Sequence, residues 1–408
     1  MDVQKINQIL KDTAYVHTSG TPEELKVAEY LAQCCRELGA EAHLEAFEVD
    51  MATMHEAVLE ADGQPVTCKG YLLAGSGEVE APFYYLRSND ELSLRQCKGK
   101  IVLIDSYLRR WMYKDLTEHG AVGLITFDGH VNYADCDIDQ RELRAVVSEG
   151  VKIPCVNINA KDAVALVEKG VTTARIALRQ DEYKGESHNV IMELPGETDE
   201  WIVLSAHLDT TSLSQGAYDN MSGCLGLLGI AEKFVGRKLR RGLRFVFCGS
   251  EERGLLGSKA YVRDHKDELD KIALNINLDM IGCIMGRFIA CCSTEEKLVH
   301  YIEYFGNEVG FSIKARQDVY SSDSTPFADN GVPALSFARL APQNTATIHN
   351  SYDTLKLMKA EQVQEDVDFM AAFTERMANA VLCPVSREIP ESVKEKLDYY
   401  MLRKRKPE

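Results

Sequence analysis

The first apolar stripe follows Gly20-Thr21-Pro22-Glu23-Glu24, where Val27, Leu31, Cys34, Cys35 and Leu38 recur at helical spacing. Thr21 is placed to cap that helix, Pro22 suits its first turn, and Glu24 stands three residues after the cap. Gly39 predicts the stop, and the alternation from His43 to Val49 predicts a strand. A second regime runs from about 52 to 182. Short buried strands are expected at Lys100–Ile104, Gly123–Phe127 and Ile153–Ile158, with a helical stretch carrying Leu116, His119 and Ala121. An amphipathic helix over Ala160–Lys169 is closed by Gly170.

From Asn189 the apolar runs become continuous. Asn189–Leu194, Trp201–Ala206, Leu243–Cys248 and Ile272–Leu278 predict strands, and Met221–Phe234 predicts a long apolar helix. Uninterrupted apolar strands belong to a sheet covered on both faces, and their alternation with helices predicts an α/β fold with a largely parallel central sheet. The expected organisation is a main domain over 1–51 and 183–385, an inserted smaller α/β domain over 52–182, and a tail over 386–408. A chain of 408 residues exceeds one ordinary core, which fits that division.

Composition narrows the function. The formal charge of −17 disfavours binding to phosphate backbones, so no nucleic-acid partner is expected. The basic stretch Arg403-Lys404-Arg405-Lys406 reads as a solvated end. The start Met1-Asp2-Val3-Gln4-Lys5-Ile6 has no basic-then-apolar signal, and no run approaches the roughly 18 apolar residues of a membrane span, so the expectation is a cytoplasmic protein without a membrane partner. The 12 scattered cysteines contain no CxxC and read as reduced, buried and structural.

The chemistry gathers at strand ends, where ligands of open α/β sheets bind. The run 201–206 leads into His207-Leu208-Asp209, 243–248 into Gly249-Ser250-Glu251-Glu252, and 272–278 into Asp279. Between them, Gly216-Ala217-Tyr218-Asp219 puts an acid at a helix entrance. Taken singly, Asp219 reads as a helix cap, His207 as a hydrogen-bonded structural residue and Glu251-Glu252 as a solvated loop. Together, carboxylates converging on one edge would force each other's pKa up unless a cation neutralised them. Imidazole with carboxylate suits zinc; carboxylate alone would suit magnesium or manganese. His349, in the polar loop Thr347–Thr354, is the second site-like histidine, whereas His17, His55, His119, His130, His265 and His300 read as surface or core.

These segments in order, with Gly20-Thr21, Ser187–Ile191, Ser250–Ser258 and Asn277–Gly282, resemble the co-catalytic zinc aminopeptidases, which include glutamate carboxypeptidase relatives. The middle segment is similar to the protease-associated domain often inserted in that family, through Cys97–Ile104 and Gly120–Ile125. The resemblance implies two Zn²⁺, with Co²⁺ or Mn²⁺ as substitutes. It assigns His207 and Asp279 to one ion, Glu252 and His349 to the other, Asp219 as the bridge, Glu251 as general base and Asp209 as the group that orients His207. It also implies hydrolysis of peptides from the amino terminus. A carboxypeptidase or dipeptidase, a non-peptide amidohydrolase, a glutaminyl cyclase-like acyltransferase and a non-catalytic binding relative are the alternatives. Homo-oligomer formation is left open. Asp323 and Arg339 are the candidates for holding a substrate terminus. Two departures from the family pattern stand out: Ser324 where many relatives carry His, and Met221 in place of a small residue.

Overall fold

The computed structural model describes residues 1–105, 107–129 and 138–406. His130 lies outside them. The chain forms two compact units, one of residues 1–49 and 186–408, the other of residues 50–185.

The first unit is built on a mixed sheet. Its strands are β1 (Thr173–Leu194, entering the unit at its second half), β2 (Trp201–His207), β3 (Gly242–Cys248), β4 (Ile272–Leu278), β5 (Arg287–Ser293), β6 (Lys314–Gln317) and β7 (Ala334–Leu340). Their spatial order is β6-β5-β7-β4-β2-β3-β1. The centre, β7-β4-β2-β3, is parallel, and β1 and β5 pair antiparallel to β3 and β7. Side-chain alternation sends Ile202, Leu204 and Ala206 to one face and Val203 to the other. Helices α1 (Val3–Asp12), α2 (Pro22–Glu37), α3 (Ser222–Phe234), α5 (Glu296–Val309) and α7 (Ala360–Asn379) supply the core of the first face. Helices α4 (Leu256–Asp264), α6 (Ser324–Asp329) and α8 (Glu391–Tyr400) supply that of the second.

Helix α2 starts as its sequence dictates. Thr21 Oγ1 accepts from Glu24 N, and the Glu24 carboxylate reaches back to Gly20 N at 2.6 Å. The segment 386–408, expected as a C-terminal tail, carries helix α8. Ile389, Val393 and Leu397 are buried against the second face, and Arg403 pairs with Asp329 and Asp398. Three apolar residues at helical spacing carry enough burial to order a segment whose charges alone suggest solvation.

In the second unit, short parallel strands Ile101–Leu103, Gly123–Asp128 and Cys155–Asn159 form a sheet with helices Arg110–Glu118 and Ala160–Glu168. Its own apolar core includes Leu103, Leu116, Ile125 and Leu166. The eleven cysteines among the described residues are all free of disulfides. Among the described residues no helix is long and apolar enough to cross a membrane.

Candidate metal centre

Strands β4, β2 and β3 are immediate neighbours and run parallel, so their carboxyl ends open on one edge. His207 is the last residue of β2 and pairs in register with Cys248 at the end of β3, three residues before Glu251. Asp279 follows β4 directly. Asp219 arrives from a tight turn before α3. Gly216 begins that turn at φ +63°, where a Cβ would lie 2.4 Å from Thr210 Cγ2, so only glycine fits. The Asp219–Asn220 peptide bond is cis. Ser250, Met280 and His349 hold positive φ values of 57°, 62° and 61°. Each of these residues either carries or adjoins a candidate group, which is where backbone strain collects in functional sites.

Two donor sets result, and they share one residue. His207, Asp219 and Asp279 bring a ligand atom each to within 4.8 Å of one another, as do Asp219, Glu252 and His349. His207 Nε2 lies 3.1 Å from Asp219 Oδ1 and 3.8 Å from Asp279 Oδ1. His349 Nε2 lies 3.1 Å from the other Asp219 oxygen, Oδ2, and 3.2 Å from Glu252 Oε1. Asp279 Oδ1 is buried without a hydrogen-bond partner. An imidazole-plus-carboxylate donor set with an orphaned buried oxygen fits a divalent cation of the zinc type.

Electrostatics point the same way. Burial pushes the Glu252 carboxyl up to about 7, reinforced by Asp219 and opposed by His349. Burial likewise raises Glu251 well above the ordinary carboxylate range, against the pull of His207 and with Glu252, Asp323 and Asp279 adding to the rise. Burial opposes protonation of His349, yet the hydrogen bonds its imidazole donates to Asp219 and Glu252 hold it up to about 12. A divalent cation at this edge would supply the counter-charge that this ring of acids calls for.

Asp209 is fully buried beside His207. His207 Nδ1–H faces the Asp209 main-chain oxygen at 3.2 Å, while the nearest Asp209 carboxylate oxygen is 3.7 Å away. The carboxylate instead accepts the backbone N–H groups of Glu251 at 2.8 Å and Glu252 at 3.2 Å. It therefore sets the turn that presents both glutamates. The main-chain bond still fixes the His207 tautomer that leaves Nε2 free as a donor to metal.

Three further residues act at this edge without having stood out in the sequence. Asn220 Oδ1 accepts from Met280 N and its Nδ2 donates to Leu278 O, gripping both neighbours of Asp279. Asp353 is buried and accepts Tyr218 N at 2.8 Å and Asp219 N at 3.0 Å. Glu24 is buried beneath the Ser250 turn and accepts from Ser187 Oγ at 2.7 Å. Each is an ordinary acid or amide in sequence, and only pairing over long separations reveals it. The candidates for holding a substrate terminus fare otherwise. Arg339 is bound to the buried Asp366, with Nε 3.0 Å from both carboxylate oxygens, and Asp323 is wholly inaccessible, so neither is placed to meet a substrate. Ser324 is buried and bonded to Ser336 Oγ at 2.8 Å, and Met221 is buried in the core.

Comparison with known proteins agrees with this geometry. Residues 189–374 match the model of peptidase family M28. Aminopeptidase YwaD of Bacillus subtilis is 25% identical over 377 residues, covering 87% of this chain and 79% of that protein. Leucine aminopeptidase 2 of Arthroderma otae is 30% identical over 189 residues, but the chain spans only 37% of its length. The fold is that of BSAP, a zinc aminopeptidase from Bacillus subtilis, with a TM-score of 0.77 at 24% identity over 95% of this chain and 98% of that one. It is shared by the aminopeptidase from Aneurinibacillus sp. strain AM-1, at TM-score 0.76, 21% identity and coverage of 94% and 96%. Residues 189–374 thus carry the likeness to peptidase family M28, and fold, ligand edge and likeness together define a metal-dependent peptidase.

Proposed function

We propose that the protein is a two-zinc aminopeptidase. The observation that carries this reading is the pair of donor sets meeting at Asp219, with one carboxylate oxygen toward His207 and the other toward His349. His207 and Asp279 would hold one ion, Glu252 and His349 the other, and Asp219 would serve both. Bound there, such ions supply Lewis acidity toward a carbonyl and acidify water.

The protein's own groups do the rest. Glu251 belongs to neither donor set, and its main chain is fixed beside Glu252 by Asp209. Adjacent residues turn their side chains apart, so Glu252 faces the ligand cluster and Glu251 is left for proton transfer. Glu251 takes a proton from the attacking water and returns it to the leaving amine, a role typically worth 10²–10⁴-fold in rate. The relatives named above as aminopeptidases support the amino-terminal direction. The unit of residues 50–185 is read as the inserted protease-associated-like domain. The cytoplasm is its proposed location.

The test is Glu251→Gln, with metal content measured by elemental analysis alongside peptide hydrolysis. The variant is expected to keep its zinc and lose at least about 100-fold in kcat. Turnover near that of the wild type would remove Glu251 from the mechanism.

A further inference from the structure

Asp353 stands four residues after His349 in the same loop, yet its carboxylate serves a turn 134 residues away in sequence. Oδ2 accepts the N–H of Asp219 itself at 3.0 Å and the Ser214 hydroxyl at 3.2 Å. Oδ1 accepts Tyr218 N at 2.8 Å. Ser214 Oγ in turn accepts Gly216 N at 2.9 Å, so Asp353 and Ser214 together tie the His349 loop to the Gly216–Asp219 turn, while His207 Nε2 meets Asp219 Oδ1 from the core side at 3.1 Å. The loop between His349 and Asp353 is bonded to itself. Asn350 Oδ1 accepts from Tyr352 N at 2.9 Å and Thr347 Oγ1 at 3.0 Å, and Asp353 N donates to Asn350 O at 3.2 Å. A displacement of Asp353 is thereby passed to His349.

A carboxylate that caps backbone N–H groups at a helix entrance is common and needs no functional reading. Two facts distinguish this one. The bonded N–H belongs to the ligand both sets share, and the carboxylate comes from the loop that carries a second ligand. His349 is also the most exposed of the donors, its side chain 41% accessible against 1% for His207. It therefore relies on its loop rather than on surrounding core for its place.

We propose that Asp353 is a positioning residue that couples the two donor sets, holding the His349 loop against the Asp219 turn so that the Asp219–Glu252–His349 set is formed only while this carboxylate is in place. The inference rests on the two-cation reading above. It predicts stepwise metal uptake, with the core-held His207–Asp219–Asp279 set filled first and the second step dependent on Asp353.

The experiment is calorimetric titration of zinc, in competition with a chelator, into the metal-stripped full-length protein as wild type, D353A, D353N and S214A. Thermal unfolding of each metal-free protein is recorded in parallel. Wild type is expected to take two equivalents in separable steps. D353A and D353N should keep the first step within a few-fold and weaken the second by about 10–100-fold, the usual cost of removing a group that orients a ligand. S214A, which spares the Asp219 and Tyr218 bonds, should show the same pattern at smaller size and remains informative if D353A does not fold. A merely structural role would lower the unfolding temperature while leaving the ratio of the two affinities unchanged, and that result overturns the coupling alone. Uptake of a single equivalent by wild type overturns the two-cation reading and the coupling together.

Discussion

Asp209→Asn isolates what the buried carboxylate under the two glutamates contributes. In the native protein one oxygen accepts Glu251 N at 2.8 Å and the other Glu252 N at 3.2 Å, with no solvent access to either. Asparagine keeps one oxygen and turns an amide N–H₂ toward the second donor. That orphans a buried backbone N–H at about 1–3 kcal/mol, and the surviving bond loses its charge at about 1 kcal/mol. The sum, roughly 2–4 kcal/mol, translates to a fall of about 4–7 °C in the unfolding temperature of the metal-free protein, given the size of the unit that holds the turn. Because the turn also aims Glu251, kcat should fall by about 10–100-fold with KM changed far less. Calorimetry and initial-rate kinetics on the same preparation read both effects. A variant within 1 °C and twofold of wild type in both would refute the assignment of Asp209 to this turn.

Two other perturbations carry expected outcomes. Burial raises the Glu24 carboxyl to about 8 from an ordinary 4.5, so the folded protein binds the extra proton across that window and its stability falls as pH rises through it. Relative to Glu24→Gln, wild type should therefore lose on the order of 4 kcal/mol between pH 5 and 8, read from urea unfolding at each pH; a pH-independent difference would show that Glu24 titrates normally. Arg339→Ala leaves the inaccessible Asp366 charge with Gly282 N and Gln362 as its partners, which should cost about 3–5 kcal/mol, whereas exchanging both partners for apolar residues should recover most of the loss. Equal instability of the single and double variants would contradict that account.

Much of the edge was legible because strand periodicity and polar strand ends are local signals. The continuous apolar runs placed β2, β3 and β4, and the residues that follow them could only emerge at one side of a parallel sheet. The limits are equally physical. Strands were expected to be apolar throughout, yet Ser205, Asn275 and Asn277 are buried in them, bonded to one another and to Ser322 and Ser336, with Asn275 Oδ1 left without a partner. Such pairing depends on strand order, which local pattern does not encode. The same holds for Asp353 and Asn220, whose partners are distant in sequence, and for Arg339 on β7, whose charge is taken up by Asp366 on α7. The C-terminal helix was hidden by its charges, since Val393 and Leu397 are its buried residues, with Ile389 just before it. Asp209 was read as the partner of His207; the backbone N–H groups that its carboxylate accepts are announced by no side-chain pattern.

The central claim, a metal-dependent peptidase acting from the amino terminus, is tested most directly by one substrate comparison. Aminoacyl substrates with a free amine are assayed beside their N-acetylated counterparts and peptides of free carboxylate only, using chelator-stripped protein before and after zinc is restored. The account predicts no hydrolysis in the stripped protein and recovery with zinc for the free-amine substrates alone. Cleavage of the acetylated substrates, cleavage confined to the carboxyl-terminal ones, or full activity without metal would contradict it.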